Sequence, residues 1–326
     1  MIDRLELEYR KTIPIKLGAS FLPDGFPLKD MRTIPFRSLL RLKLLPPLPN
    51  FYSVDQELGG IDDHEMFGND KYGDCVKAMM AHNILRFEKF EQGKRIAITT
   101  DEVVKEYLRE TGGKDTGLYM LLALKDWRSH GLTFGDKNYK IHAFTSVDMQ
   151  DLTQVRYCIY LLRNINVAMQ VFQTDVDQFR AGETWHLTGK NGNFLGGHGI
   201  YGYLFNIGNT PQQITLSDSY RRVNLVSPIS TTYLDIPKPT TSITYADDIL
   251  EVMTWGVRQQ MTTEFWKARV LEAYCVIDQK NPWQGDNSPL DMELCESQLK
   301  EITGNPTADG CFVCKFVKGQ LRRLHA

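Results

Sequence analysis

Cysteine is sparse in this chain, long apolar runs are missing, and charge of either sign is nearly balanced. The six cysteines, at positions 75, 158, 275, 295, 311 and 314 of 326 residues, are too thinly spread for a disulfide scaffold and are expected as reduced thiols. No apolar stretch approaches the roughly 18 residues a membrane-spanning helix needs. The first residues, Met1-Ile2-Asp3-Arg4-Leu5-Glu6, alternate charge with apolar side chains and lack the core of a secretory signal, so a cytoplasmic location is expected. A formal net charge of −2 and a pI near 6.4 supply no field to draw in nucleic acid or an anionic membrane. Neither is expected as a partner. Repeats and low-complexity tracts are also missing. What remains, 42% hydrophobic and 24% charged residues, is the composition of a folded protein, and the length suggests two packed lobes.

Proline divides the chain unevenly. Seven prolines, at 14, 23, 27, 35, 46, 47 and 49, break residues 1–60 into an irregular, extended arm, with room for one short helix over 34–45. Residues 61–140 read as a helical lobe. There Val76, Met80, Ile84 and Phe87 repeat at helical spacing up to a capping Gly93, Thr99 to Glu102 forms a capping box, and Leu118 to Trp127 makes a third helix. Residues 141–280 read as a β-rich lobe: a crossover helix over 147–163, then strands over 166–172, 199–205, 213–216 and 249–255, with 273–277 as an edge strand. The Pro/Ser/Thr-rich stretch 220–247 reads as an inserted loop. A helical tail, opened by Ser288-Pro289, occupies 281–326.

Chemistry concentrates at Phe67-Gly68-Asn69-Asp70-Lys71-Tyr72-Gly73-Asp74-Cys75. A thiol at the first turn of a helix faces unpaired N–H groups and the positive end of the dipole, which favour the nucleophilic thiolate. Asn69 offers a side-chain amide to a developing oxyanion, and Asp74 is expected to cap the helix through its carboxylate. Of seven histidines, His198 in Gly196-Gly197-His198-Gly199-Ile200 is best placed as the base, at the start of an apolar strand with small neighbours. Its structural alternative is a strand-end residue. His82, two helical turns from Cys75, reads as a surface or inter-lobe residue, and His186 beside Trp185 as a second candidate near the cleft.

Gly73-Asp74-Cys75 leading a helix, the turn Phe179-Arg180-Ala181-Gly182 and Gly197-His198-Gly199-Ile200 together resemble the papain-like cysteine peptidases in order and spacing. The combination with Thr254-Trp255-Gly256 looks like a divergent microbial or phage-encoded group of that family. The resemblance implies an α+β fold of two lobes, a helical lobe followed by an antiparallel β-sheet or barrel lobe, with an extended N-terminal arm that is either a pro-segment lying in the cleft or a brace between the lobes. It implies Cys75 and His198 as the catalytic pair, Asn69 in the oxyanion role, and Gly73, Trp185, Gly197 and Trp255 along the substrate cleft. For the third catalytic residue two segments compete. Met253-Thr254-Trp255-Gly256 carries Met where the family has Asn, while Ser217-Asp218-Ser219 puts Asp218 at nearly the family distance and is preferred.

The function this implies is hydrolysis of peptide or isopeptide bonds in a protein or peptide substrate, with no cofactor and no metal. An inactive member of the fold serving as a structural or binding part of a viral particle or host complex is the alternative from another class, and transglutaminase-type acyl transfer is a third. Cys311-x-x-Cys314 with Cys295 and His325 has one zinc-like pair, but its outer spacings are too loose to favour a metal site. Cys158 and Cys275, among apolar neighbours, are expected as buried structural thiols.

Overall fold

The computed structural model describes residues 4–21, 33–61, 63–207, 212–216, 220–227, 230–237, 241–245, 248–280 and 285–303. Over its described residues the arm holds more regular structure than its prolines suggest. It opens with a helix, α1 (Arg4–Thr12), followed by a two-residue strand β1 (Ala19–Ser20), then β2 (Ile34–Pro35), α2 (Phe36–Leu39) and a 3-10 turn over Leu42–Leu44. The helix fits before Pro14 because its nine residues contain no breaker and carry a Glu6–Arg10 pair one turn apart at 2.8 Å. It packs on the helix over Gln173–Ala181 of the second half of the chain.

After β3 (Phe51–Ser53) and α3 (Val54–Glu57), three helices make the expected lobe: α4 (Cys75–Gln92), α5 (Thr100–Thr111) and α6 (Met120–Ser129). Gly93 caps α4 in the left-handed conformation, and the Thr99/Glu102 capping box opens α5. Leu118 and Tyr119, expected inside the third helix, instead form a short strand, β4, paired in parallel with β1. The hairpin β5 (Leu132–Phe134) and β6 (Lys137–Tyr139) closes the lobe, with Trp127 Nε1 donating to the Tyr139 carbonyl at 3.0 Å.

The second lobe contains β7 (Ala143–Ser146), α7 (Leu152–Leu162), β8 (Ile165–Phe172), α8 (Gln173–Ala181) and β9 (Phe194–Asn206). Then come β10 (Gln212–Leu216), β11 (Tyr220–Ser227), β12 (Ser230–Pro237), β13 (Thr241–Tyr245), β14 (Ile249–Thr254), β15 (Val257–Thr262), α9 (Thr263–Arg269) and β16 (Val270–Ile277), with α10 (Met292–Thr303) in the tail. The main sheet runs β15-β14-β9-β8-β16-β7-β2, with β3 also pairing β9. Antiparallel pairs dominate it; β2 and β7 pair in parallel.

Two expectations are corrected here. The segment over 273–277 is not an edge: β16 lies between β8 and β7, and its apolar run Ala273 to Ile277 is buried on both faces. The stretch 220–247 is not a plain loop, since it holds the antiparallel pair β11 with β12 and the strand β13, which pairs with β10 just before the stretch, and its Thr, Val and Ile residues favour extended chain.

Helix α4 is the hinge of the architecture. It packs across β9, which α7 also contacts. Its apolar period suggests one buried stripe, yet every residue from Cys75 to Glu88 is buried, Lys77, His82, Asn83 and Arg86 among them. These polar groups are tolerated because each finds a partner. Lys77 pairs with Glu110 of α5 at 2.6 Å and reaches Asp126 of α6 at 3.8 Å.

A candidate active site between the lobes

The loop before α4 turns sharply, with Phe67 at φ 53° and Gly68 at φ 98°. Asn69 N–H bonds the Met66 carbonyl, and the N–H groups of Lys71 and Tyr72 both reach the Gly68 carbonyl. This tight coil delivers Cys75 as the first residue of the helix, as the sequence predicts. Its Sγ accepts a hydrogen bond from the Gly199 N–H of β9 at 3.2 Å. Asp74 departs from expectation. It sits at the N-cap with φ −97° and ψ 15°, not the extended conformation that swings a carboxylate onto first-turn N–H groups, and makes no side-chain cap. Both its carboxylate oxygens are buried outside hydrogen-bond geometry. Burial pushes its pKa up to about 8, and its own N–H and the Asn69 amide offset that only in part.

His198 stands on β9 and is fully buried. Its Nε2 meets Thr254 Oγ1 of the neighbouring β14 at 2.8 Å, and the Trp255 ring stacks on its imidazole with centroids 4.3 Å apart and planes 15° apart. Trp255 and Gly256, at φ 44° and 72°, form the two-residue turn joining β14 to β15, which explains why Gly follows Trp here. His198 Nδ1 has no hydrogen-bond partner, and none joins it to the thiol. Cys75, His198, Asn69, Thr254, Trp255 and His82 all border one narrow cleft.

The arm packs against several of the same residues. The Lys16 carbonyl lies 3.4 Å from both Asn69 Nδ2 and Trp255 Nε1. Gly18 donates to the Gly197 carbonyl at 3.1 Å and accepts from the Leu118 N–H at 2.7 Å. The N–H groups of Gly18 and Ala19 face the Cys75 sulfur. So covered, the thiol is pushed by burial up to about 12, the neighbouring N–H groups lowering it only partly, and the imidazole is driven by burial down to about 3. Both are neutral beneath the arm.

Outside the cleft α1 is moored by Arg10, itself buried, whose guanidinium donates to Gln259 Oε1 and the Arg258 carbonyl, both at 2.6 Å, and sits 4.8 Å from the Phe179 ring centroid. Tyr9 OH donates to the Trp255 carbonyl at 3.1 Å.

Beneath the site lies a charged seam. Asp63 accepts from His82 Nδ1 at 2.7 Å and from Arg86, while Arg86 also grips Asp55 at 2.8 Å. Arg258 of β15 reaches the same Asp55 at 3.4 Å. The Arg86 guanidinium lies over the rings of Tyr201 and Tyr203 on β9. The two bases hold the Asp63 carboxylate well below the usual range despite its burial. His82 is therefore an inter-lobe residue, oriented by a carboxylate and buried; the surface alternative does not hold.

Sequence reasoning missed Thr254 as the histidine's partner. The neighbouring Trp-Gly was its signal, but attention fell on Met253, one residue away. The favoured Asp218 lies outside the described residues. Trp185 does not line the cleft: it is wholly buried behind Trp255, stacked on Phe265 with its Nε1 donating to the Asp175 carbonyl at 2.7 Å. His186 is exposed and bonds the Thr184 carbonyl. Phe179 to Gly182 forms the capped end of α8 rather than a free turn. Cys158 and Cys275 are buried as expected, with Cys275 Sγ donating to the Asn164 carbonyl at 3.1 Å. Cys295 is buried, while Cys311, Cys314 and His325 lie outside the described residues. Among the described residues no cluster of three His, Cys, Asp or Glu is arranged for a metal ion, and no helix is long and apolar enough to cross a membrane.

No protein-family model matches the sequence, and no curated protein matches it. Solved structures do. Xylellain, a cysteine protease from Xylella fastidiosa, aligns with a TM-score of 0.51 at 13% identity, covering 82% of this chain and 98% of its own. ProCathepsin B S9 from Trypanosoma congolense aligns with a TM-score of 0.50 at 12% identity, covering 85% and 89%. The fold of this chain is that of the papain-like cysteine proteases.

Proposed function

We propose that the protein is a cysteine peptidase or amidase held in a latent state by its own arm. The observation that carries this is the convergence, in one cleft, of a helix-terminal thiol and a histidine whose far nitrogen is tethered to Thr254 and whose ring is covered by Trp255. With the Nε2 proton donated to Thr254 Oγ1, Nδ1 keeps the lone pair that takes the thiol proton. Once the arm leaves, water re-enters, the desolvation that keeps both groups neutral falls away, and the thiolate–imidazolium pair becomes accessible.

The thiolate then attacks a carbonyl carbon, forming the S–C bond as the carbonyl π electrons move to oxygen. Asn69 Nδ2 and the Cys75 N–H stabilise that oxyanion, an effect worth about 3 kcal/mol per donor. His198 gives its proton to the departing nitrogen as the C–N bond breaks. Water, deprotonated by His198, next attacks the thioester; the C–S bond breaks and the thiol is restored. The Lys16 carbonyl lies 3.4 Å from Asn69 Nδ2, the side-chain donor assigned to that oxyanion, which supports reading the arm as a pro-segment.

The test is alkylation by iodoacetamide near pH 6 of the full chain carrying Arg10→Ala, which unmoors α1 without altering the cleft, alongside hydrolysis of a fluorescent casein. Rapid labelling confined to Cys75, lost in His198→Ala, and casein cleavage abolished by Cys75→Ser support the proposal. Labelling of Cys75 no faster than of the buried Cys158 contradicts it. Labelling without cleavage favours the inactive binding protein.

A further inference from the structure

Glycine surrounds the Cys75 sulfur to an extent the proposed chemistry does not require. Gly18 of the arm is pressed against the backbone of Gly73 and Gly117. A Cβ on it would fall 1.7 Å from the Gly73 carbonyl oxygen. The walls are equally intolerant: a Cβ on Gly117 would lie 2.4 Å from the Gly18 oxygen, and one on Gly197 would lie 2.0 Å from the Ala19 oxygen. Because the colliding atoms are main chain, no side-chain rotation relieves the overlap.

The width of this slot is also fixed. Asp115 Oδ1 accepts from the Gly73 N–H at 2.9 Å and from Tyr107 OH at 2.6 Å, and that hydroxyl accepts from the Gly117 N–H at 2.9 Å. The bracket Gly73–Asp115–Tyr107–Gly117 ties the loop before α4 to the loop before β4. Tyr107 is wholly buried on α5, so the bracket rests on a rigid helix. The neighbouring position is less confined, since a Cβ on Gly196 would lie 3.3 Å from a Leu17 side-chain carbon, a tight contact with a side chain and not an overlap with main chain.

Resting on the peptidase reading above, we propose that the substrate class is peptide or isopeptide chains with glycine beside the cleaved bond, selected by the slot between Gly73, Gly117 and Gly197. Asp115 and Tyr107 act as positioning residues that hold the slot at backbone width. The limit is steric and imposed by main-chain atoms on both walls, so it applies to an incoming chain as it does to the arm.

The experiment uses the full chain carrying Arg10→Ala and four chloromethyl ketones, Gly-Gly, Leu-Gly, Gly-Leu and Leu-Leu, with labelling of Cys75 followed by intact mass. Iodoacetamide is the sequence-blind reference. Gly-Gly should label about 100-fold faster than Leu-Leu, the scale of loss that misplacement of a reacting group by about 1 Å brings. The mixed probes report which residue occupies the slot. Tyr107→Phe should raise the Leu-Leu rate relative to iodoacetamide, which a merely structural tyrosine would not do. Equal labelling by all four probes, with iodoacetamide still fast, overturns the slot and leaves the nucleophile reading intact; no labelling by iodoacetamide overturns both. A second variant, Gly18→Val in the full chain, is independent of the Arg10 mooring. The slot cannot hold valine, so Cys75 should become reactive to iodoacetamide, and an unchanged rate contradicts the proposal.

Discussion

The seam beneath the site and the cleft above it hold polypeptide segments together by opposite means. In the seam, Asp55, Asp63, His82 and Arg86, all buried, lock α4 to the loop before it, and Arg258 extends the network to the β lobe. At the site, the arm is held largely by backbone hydrogen bonds and close glycine contacts, with the buried mooring of Arg10 outside the site. A buried charge network costs several kcal/mol to break at any single member, whereas a short backbone-paired strand can peel away one bond at a time. The difference matches the roles proposed: a permanent joint that keeps Cys75 and His198 on facing elements, and a cover that can be removed.

The largest effect expected is at the joint. Arg86→Met leaves Asp55 and Asp63 without their shared base and should lower unfolding free energy by about 3–5 kcal/mol in a urea titration. A loss below about 1 kcal/mol would erase the contrast between seam and cleft. A smaller effect is expected where the two regions meet. Thr254→Val removes the only hydrogen bond to the His198 ring among the described residues and should slow Cys75 alkylation about 5-fold in the arm-loosened chain, as one hydrogen bond is worth about 1 kcal/mol. Thr254→Ser should restore the rate, and an unaffected Thr254→Val would leave the histidine without a third partner.

A separate, pH-dependent effect concerns Asp74, whose pKa burial raises from 3.8 to about 8. A raised acid favours the folded state most below its ordinary value, and that contribution fades as pH rises through about 8. Asparagine mimics the protonated carboxyl, so Asp74→Asn should gain thermal stability relative to the unaltered chain between pH 4 and pH 8. Parallel melting temperatures across that range would show that Asp74 is charged in the native protein.

Much of this was legible because it depends on local rules. Cys75 at a helix start, the Thr99 capping box, Gly93 as a helix end and His198 on an apolar strand all follow from spacing and backbone preference. What escaped depends on neighbours distant in sequence. The polar residues of α4 look like a solvent face until Asp63, Asp55 and Glu110 arrive from elsewhere, and β16 resembles an edge until β7 and β8 flank it. Helix α1 was hidden by the prolines that follow it, although Glu6 and Arg10 already stood one turn apart. Thr254 escaped because strand pairing, not motif position, decides which side chain of β14 meets the histidine.

The central claim is that the arm conceals a thiol poised by His198. Its most direct measurement is the rate of Cys75 alkylation near pH 6 in the full chain, compared among the unaltered protein, Arg10→Ala, and Arg10→Ala with His198→Ala. The account predicts slow, fast and slow in that order; three equal rates would contradict it.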